Sequence, residues 1–275
     1  MKALNLALII IFLNCGCTEI NKAEFTSIEC APEEMPEFDG NKVTFLDDGG
    51  NPIKDTIIGG IEKKRTVFKP CRELIYRATF KSDQNELISS SRIKMMATGK
   101  RWQFQPEKQD EIIVQYEFTN GDFKRNQKNQ LNKGFIENKW MKEAIESVIE
   151  NVEEVWMHPF RFNQFNFTEV APFPEVKFPL EIGKSWTGNL QIQKGWGDWE
   201  NTSGYFEYQV TDKKDITTSF GIIEDCWKIE SKSTYEFGQS KLDYWFSEQL
   251  GFVKMNYINY GNQTLEIELE EANEK

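Results

Sequence analysis

The sequence predicts a mainly β protein, a largely antiparallel open or closed β-barrel or curved sheet packed on one long amphipathic helix. Three observations favour this class. Short runs rich in valine, isoleucine, threonine and aromatic residues alternate apolar with polar positions, turn residues separate these runs, and one segment changes to the spacing of a helix. Alternation with period two, broken at glycine, asparagine, aspartate and proline, is typical of antiparallel strands that have one solvated face.

The first element, over residues 1–16, is predicted to be a signal peptide. Lys2 precedes an apolar run over residues 3–13, interrupted only by Asn5. At about 1.5 Å per residue this run covers roughly half of a hydrocarbon core of about 30 Å, so it is too short for a permanent membrane span. A basic residue followed by a short apolar run indicates a segment that is removed after export.

The signal ends at Gly16 and Cys17, and this end resembles that of bacterial lipoproteins of the Bacteroidetes type. The resemblance implies that the Cys17 thiol receives a lipid, with palmitate among its acyl chains, and becomes the new N-terminus. Asn14 departs from the motif, which has an apolar residue there. We expect a chain anchored to the cell envelope, at the periplasmic or surface face of the outer membrane. An ordinary secretory signal cut nearby is the alternative.

Residues 17–36 predict a flexible tether, and residues 37–270 predict a β-rich domain. The tether is polar and acidic, with Glu33 and Glu34 between two prolines, a composition that favours a solvated spacer. In the domain, alternating runs between residues 41 and 118 predict strands. The polar residues 122–133 predict an exposed loop.

Residues 139–156 predict the long helix. Apolar residues recur there at spacings of three and four, and charged residues fall between them. This pattern is typical of an amphipathic helix of about four to five turns. Asn138 is the expected cap, and the helix is expected to stop at His158 because a residue that precedes a proline is pushed out of the helical region. We expect the apolar face to pack on the sheet.

Residues 160–179 combine six phenylalanines with three prolines. Because proline cannot donate to a central ladder, this part is predicted to be an edge or crossing segment that lays aromatic rings across the core. From residue 183 to residue 269 the alternation resumes and predicts a meander of strands. The sheet is expected to have two halves, 37–120 and 173–270, in one domain or in two.

The C-terminal half resembles a group of uncharacterised bacterial envelope proteins. The resemblance is carried by residues 178–186 (FPLEIGKSW), 226–231 (CWKIES) and 244–253 (YWFSEQLGFV). In that group a proline-leucine-x-x-glycine segment opens a strand, and a hairpin containing glycine-leucine-valine closes the domain. Here Phe252 replaces the leucine. The resemblance covers about residues 173–260 and implies an open β-barrel wrapped on a helix, similar to periplasmic lipoprotein carriers, with no catalytic residues.

Three cysteines lie beyond the export signal, Cys30, Cys71 and Cys226. Outside the cytoplasm two of them can pair, and we prefer Cys30 with Cys71 because both flank the same N-terminal β-rich section. Cys226 lies in an alternating run, where a small buried apolar residue is the ordinary interpretation.

The chain is acidic, with a formal net charge of −11. Binding to nucleic acid needs clustered lysine and arginine, and the longest basic run is only residues 63–65, so nucleic acid is excluded as a partner. The same balance argues against a polybasic membrane patch. The sequence therefore predicts that the lipid alone contacts the membrane.

His158 is the only histidine, so a histidine-rich metal site is excluded and a Ser-His-Asp triad would depend on this one residue. A helix end favours a cationic or donor side chain, which gives His158 a structural interpretation. The sequence shows no glycine-rich nucleotide loop, no paired CxxC motif and no calcium loop. We expect no metal and no cofactor.

One cluster suggests sugar chemistry. It consists of aromatic residues beside carboxylates, which suit stacking on sugar rings and hydrolysis of glycosidic bonds: Trp196, Asp198, Trp199, Glu200 and Tyr205. The structural interpretation of the same residues is a hairpin whose tryptophans cover the sheet, and we prefer it.

The leading hypothesis is a non-catalytic envelope lipoprotein that binds an apolar ligand or docks on an envelope protein. A curved sheet packed on a helix can enclose an apolar cavity, and the 21 phenylalanines favour an apolar interior. A glycan-binding module or a carboxylate-dependent glycoside hydrolase is the alternative.

Overall fold

The computed structural model describes residues 25–30, 41–46, 51–58, 65–135 and 139–274. In this part of the chain fourteen strands form, with one α-helix, α1 (Asn120–Asn129), and 3₁₀ helices over Asn163–Val170 and Gly197–Trp199. The strands are β1 (Asn41–Leu46), β2 (Pro52–Ile58), β3 (Glu73–Lys81), β4 (Leu87–Arg101), β5 (Asp110–Tyr116), β6 (Glu143–Glu150), β7 (Glu154–Met157), β8 (Glu175–Lys177), β9 (Ser185–Gln191), β10 (Ser203–Thr218), β11 (Gly221–Tyr235), β12 (Gly238–Ser247), β13 (Gly251–Ile258) and β14 (Thr264–Asn273).

Twelve of these strands form one antiparallel sheet, and β1 and β2 form a separate hairpin. The order in the large sheet is β8-β7-β6-β5-β4-β3-β14-β13-β12-β11-β10-β9. The last strand pairs with β3, so that Leu265 lies opposite Phe80. This pairing joins the two predicted halves side by side in a single sheet, and the mainly β class is confirmed.

The sheet is strongly curled, because its two edge strands are consecutive in sequence. Only residues 178–184 connect β8 to β9, and seven residues span at most about 25 Å. Twelve strands laid flat would extend about 50 Å at about 4.8 Å per strand. The Trp186 indole of β9 donates to a Glu175 carboxylate oxygen of β8 across 3.1 Å, so the edges lie close together.

The two edges do not pair as strands, so the sheet is open and the closed-barrel alternative is wrong. The long helix predicted over residues 139–156 is also wrong, because this segment forms β6 and β7 with a tight turn between them. The resemblance to envelope proteins also implies a helix under the sheet, and the same finding shows that this expectation is wrong.

The physical reason for the wrong helix lies in the inward face of β6. The residues that point inward alternate regularly and are all buried: Ala144, Glu146, Val148 and Glu150. Two of the four are glutamates, and they hide the period of two. The outward-facing Ile145 then completes a false helical spacing, although its side chain is exposed.

Buried glutamate is tolerated at the end of β6 because backbone amides donate hydrogen bonds to its carboxylate. The Glu150 carboxylate accepts hydrogen bonds from the backbone N–H groups of residues 66–68, at 2.7 to 3.1 Å. Buried polar groups with full hydrogen bonding carry little penalty. These bonds hold the segment before β3 against the sheet.

Helix α1 occupies residues that the sequence predicts as an exposed loop. Thr119 caps the helix, with its side chain accepting from the Asp122 backbone and the Asp122 carboxylate accepting from the Thr119 backbone. This reciprocal capping box is a local helix signal in a stretch that otherwise has little apolar character. Among the described residues, no helix is long and apolar enough to cross a membrane.

The interior of the curled sheet is filled by residues 159–174, which include most of the segment predicted over residues 160–179, and the edge strand β8 follows them. Its rings contact both halves of the sheet, since Phe160 lies 5.4 Å from Tyr76 and Phe173 lies 6.1 Å from Phe206, between ring centroids. The 3₁₀ helix in this segment is buried along its whole length. The chain itself therefore occupies the space in which an apolar ligand was expected.

Candidate functional site

The segment over residues 25–30, here named the strap, lies on the outer face of the sheet. The Lys94 ammonium donates to the Thr26 carbonyl at 2.5 Å, and the Gln115 side chain exchanges two hydrogen bonds with Thr26 at 2.7 and 3.1 Å. The ring of Phe25 lies under the cations of Arg92 and Lys94, at 5.2 and 5.4 Å. The flexible tether over residues 17–36 stays a prediction, and the strap is the only part of it among the described residues.

The strap ends in a disulfide between Cys30 and Cys71, with a Cα–Cα distance of 5.6 Å. These are the two cysteines that we prefer as a pair from the sequence. Cys71 lies just before β3, and Cys226 is free and buried. Cys17, the predicted lipid site, and the signal peptide lie outside the described residues.

The strap runs between the two ends of the sheet. The helix end carries α1 and the turns over residues 82–86, 192–202 and 259–263. The disulfide end carries Cys71 and the turns over residues 102–109, 151–153 and 248–250. The N-terminus of the strap contacts the half of the sheet nearer to the helix end.

The predicted sugar-binding residues lie in and beside the turn over residues 192–202, at the helix end. Trp199 is only 2% exposed, packs near Tyr260 and donates its indole N–H to the Tyr260 hydroxyl at 3.0 Å. Asp198 accepts from the Gly134 backbone at 3.0 Å, and Glu200 accepts from the Gly195 backbone at 3.1 Å. All three make contacts within the protein.

Trp196 and Tyr205 keep accessible surface. Trp196 is half-buried and stacks on Phe135, at 5.4 Å between ring centroids, while the Arg161 guanidinium lies 5.9 Å from its ring. Tyr205 is exposed on the outer face of β10. The glycan hypothesis stays a prediction, and these two rings are the ones that a sugar would reach.

At the helix end, the segment after α1 and the β9–β10 turn are joined by hydrogen bonds. The Asn132 side chain donates to the Trp196 carbonyl at 2.7 Å and accepts from the Asp198 and Phe135 backbones. Gly197 has a φ of +55°, and a Cβ there would lie 2.3 Å from the backbone nitrogen of Phe135. Only glycine fits this contact, which ties the β9–β10 turn to the segment after α1.

A buried charge cluster lies inside the curled sheet. Arg161 donates two hydrogen bonds to the Glu146 carboxylate, at 3.0 and 3.1 Å, and one to Glu169 at 3.0 Å. One guanidinium thus faces two buried carboxylates. Burial raises the pKa of Glu146 to about 7 and raises the pKa of Glu169, although Arg161 opposes both changes.

His158 lies beside this cluster, not at a helix end, so the structural role predicted for it is wrong. Burial, with the nearby Arg161 cation, lowers its pKa well below the usual value. Its Nδ1 is 3.7 Å from a Glu146 oxygen, but the imidazole is neutral and the contact is not an ion pair at neutral pH. The ring packs between Trp156 and Phe173.

An open groove of about 680 Å³ lies at the helix end, on the surface, and is here named the lysine groove. Its lining is aromatic at the floor and basic at the rim: Phe118, Asn120, Phe123, Lys139, Trp140, Met141 and Lys142. The buried Trp140 ring meets Phe118 and Phe123 edge-on, each at 5.3 Å. The sequence predicts no site here, because four of the seven lining residues, 139–142, fall within the wrongly predicted helix.

The described part of the chain contains no group of three or more histidine, cysteine, aspartate or glutamate side chains placed to hold a metal ion.

No protein-family model and no curated protein matches the chain. In structure it is similar to a protein inferred to be exported, with a YmcC-like fold, from Bacteroides fragilis, at 11% identity and a TM-score of 0.44, covering 76% of this chain and 98% of that one. It is similar to a protein inferred to be a lipoprotein from Parabacteroides distasonis, at 11% identity and a TM-score of 0.43, covering 77% and 100%. A third similar structure is the hypothetical lipoprotein YmcC from Escherichia coli, at 10% identity and a TM-score of 0.32, covering 76% and 89%. All three are described as exported proteins or lipoproteins, the class that the sequence resembles, but similarity at this level says nothing about what the chain does.

Proposed function

We propose that the chain is an exported protein, anchored through a lipid on Cys17, that binds a partner or an apolar ligand in the cell envelope without catalysing a reaction. The observation that carries this proposal is the strap joined to the domain by the Cys30–Cys71 disulfide, directly after an export-type N-terminus. The outer membrane is the membrane that we expect.

The disulfide supports the location. Disulfides persist in oxidising compartments outside the cytoplasm and are rare inside it. The bond links two cysteines 41 positions apart, so it closes a long loop and holds the strap on the sheet. A chain that leaves the cytoplasm through its signal peptide would meet the conditions in which this bond forms.

The binding part of the proposal belongs to the surface. Residues 159–174 fill the interior, whereas the lysine groove is open and has an aromatic floor. Ligand sites are typically concave and apolar with a few polar groups at their rim. An apolar ligand or an envelope protein would therefore meet the surface of the domain and not the inside of the sheet.

Metabolic labelling with radioactive palmitate tests the anchor. The full chain should incorporate label and fractionate with membranes, and Cys17→Ser should do neither. Cys15→Ser is the matched control, because it removes a thiol two residues earlier and should leave labelling unchanged. Density fractionation then separates outer from inner membrane.

Unlabelled wild-type protein, or a Cys17→Ser protein that still fractionates with membranes, would contradict the anchor. Native mass spectrometry of the membrane-purified chain tests the ligand. Bound lipid beyond the covalent anchor supports the apolar-ligand branch, and its absence leaves partner docking as the surviving branch.

A further inference from the structure

The lysine groove lies beside the point where the chain comes from its predicted anchor. Phe25, the first residue of the strap, packs under Arg92, which pairs with Glu117 at 2.9 Å, and Glu117 directly precedes Phe118 of the groove. On the other flank, Gln115 joins Thr26 of the strap to Glu143 at 2.7 Å, and Glu143 directly follows Lys142.

The length of chain before the strap limits the distance to the membrane. Eight peptide links separate Cys17 from Phe25, and at about 3.4 Å each they span at most about 27 Å. A lipid on Cys17 therefore keeps the bilayer surface within this distance of Phe25. The groove beside Phe25 is held near that surface.

The groove region carries the opposite charge to the chain as a whole. Residues 118–142 contain six basic and two acidic residues, in a chain of net charge −11. Arg125 and Asp122 neutralise each other at 2.7 Å. The acidic neighbours are also engaged, since Glu117 pairs with Arg92 and Glu143 accepts from Gln115.

The remaining basic side chains of the region make no ion pair within the described residues: Lys124, Lys128, Lys133, Lys139 and Lys142. Exposed apolar side chains accompany the lysines, since Met141 of the groove is 37% exposed and Ile145, on the outer face of β6 shortly after Lys142, is 57% exposed. Lysine and aromatic side chains beside exposed apolar groups suit the boundary between lipid headgroups and acyl chains.

We propose that the lysine groove is a docking surface for the anionic bilayer to which the chain is anchored, with lysines on the phospholipid phosphates and Met141 and Ile145 at the acyl boundary. The inference rests on the proposed lipid anchor. It gives the domain one orientation on the membrane, with the helix end down and the disulfide end away.

The test compares two labelled sites at opposite ends of β6. Met141→Cys and Val152→Cys, each in the full lipidated chain, carry an environment-sensitive nitrobenzoxadiazole group; both native side chains are exposed, and the free Cys226 is buried. The two sites are separated by about 30 Å or more of extended chain. The chains are reconstituted into vesicles of three parts phosphatidylcholine to one part phosphatidylglycerol, or of phosphatidylcholine alone.

Docking predicts a blue-shifted, roughly twofold brighter emission at position 141 on the anionic vesicles only, with position 152 unchanged. Lys139→Glu with Lys142→Glu should abolish the rise, and Lys213→Glu with Lys214→Glu, which reverses an exposed pair on β10, should not. Flotation of the vesicles reports the anchor separately.

A chain that floats with anionic vesicles while position 141 remains water-like would overturn the docking surface and leave the anchor standing. An equal rise at position 152, an equal rise on neutral vesicles, or a rise that survives the groove charge reversal would also overturn it. Failure to float would contradict the anchor instead.

Discussion

Glu146, Glu169 and Arg161 place a net negative charge inside the sheet when both carboxylates are ionised. A single guanidinium donates to both, and burial raises the pKa of each glutamate. The cluster lies among aromatic side chains and not at an open cleft, since Glu146 and Glu169 are both buried. Its consequence is a dependence of stability on pH.

Glu146→Gln is expected to flatten that dependence. Between the unfolded pKa of about 4.5 and the folded pKa of about 7, the folded state binds a proton that the unfolded state has lost, so the free energy of unfolding falls as pH rises. The full change is roughly 3 kcal/mol. Urea unfolding at a series of pH values between 5 and 8 measures it. Glu153→Gln, at an exposed turn, should follow the wild type, and a wild type whose stability rises across this range would refute the assignment.

Trp199→Ala is expected to destabilise the fold by roughly 3–5 kcal/mol, because it removes a buried ring and strands the Tyr260 hydroxyl. Tyr205→Ala, at an exposed site on the neighbouring strand, should change the free energy of unfolding by less than about 1 kcal/mol. Chemical unfolding of both variants measures their free energies of unfolding and tests this difference. Equal losses of stability in the two variants would show that Trp199 is not part of the core. Because Trp199 is buried, a glycan-array test of sugar binding should use Trp196→Ala, whose native side chain keeps accessible surface.

At the scale of elements, the strap depends on its disulfide. A closed loop of 41 residues predicts roughly 4 kcal/mol of stabilisation from loss of unfolded-state entropy. We expect Cys30→Ser to lower the free energy of unfolding by about this amount, and a reductant to have the same effect on the wild type. A reductant should leave the variant unchanged, and a wild type insensitive to reduction would remove the strap's stabilising role.

Single elements show which signals a sequence carries. The turn between β12 and β13 can be predicted from the sequence, because a glycine stands between two apolar runs there. In the structure Gly251 has a positive φ of +77°, which favours glycine. The sequence over β6 and β7 wrongly predicts a helix, because the inward-facing Glu146 and Glu150 occupy positions that are polar in the helical pattern. Their partners, Arg161 and the backbone amides of residues 66–68, lie elsewhere in the sequence, and no local pattern reveals them.

The candidate site follows the same rule. Lysines and aromatic residues near Trp140 are visible in the sequence, but whether they share a surface depends on β5 and β6 pairing as neighbours. The net charge of −11 is a property of the whole chain and does not reveal the local basic region over residues 118–142. That the lipid alone contacts the membrane stays a prediction, and the docking proposal is the alternative to it.

At the scale of the whole molecule, the pairing of β14 with β3 makes one unit of the two sheet halves. The crossing segment inside contacts both of them, as Phe80 and Tyr257 on opposite halves each pack on Phe167. Neither half can keep its core when the other opens.

We therefore expect a single cooperative unfolding transition. Calorimetry should give equal calorimetric and van't Hoff enthalpies, and hydrogen exchange should release the slowest amides of β5 and β12 in one step. Ile267→Ala, which removes a buried side chain of β14 opposite Ala78, should lower the midpoint for both strands equally. Two separated transitions would show independent halves.

The placement of β3 between β4 and β14 also has a consequence for the folding of the chain. β3 can pair with β4 early because the two strands are adjacent in sequence, whereas its other edge pairs with Thr264–Asn273, which lies far later in the chain. Until β14 pairs there, the backbone N–H and C=O groups along this edge of β3 have no strand partner, and such open edges favour aggregation. A chain shortened before β14 should therefore aggregate more readily than the full chain, because it leaves this edge of β3 unpaired.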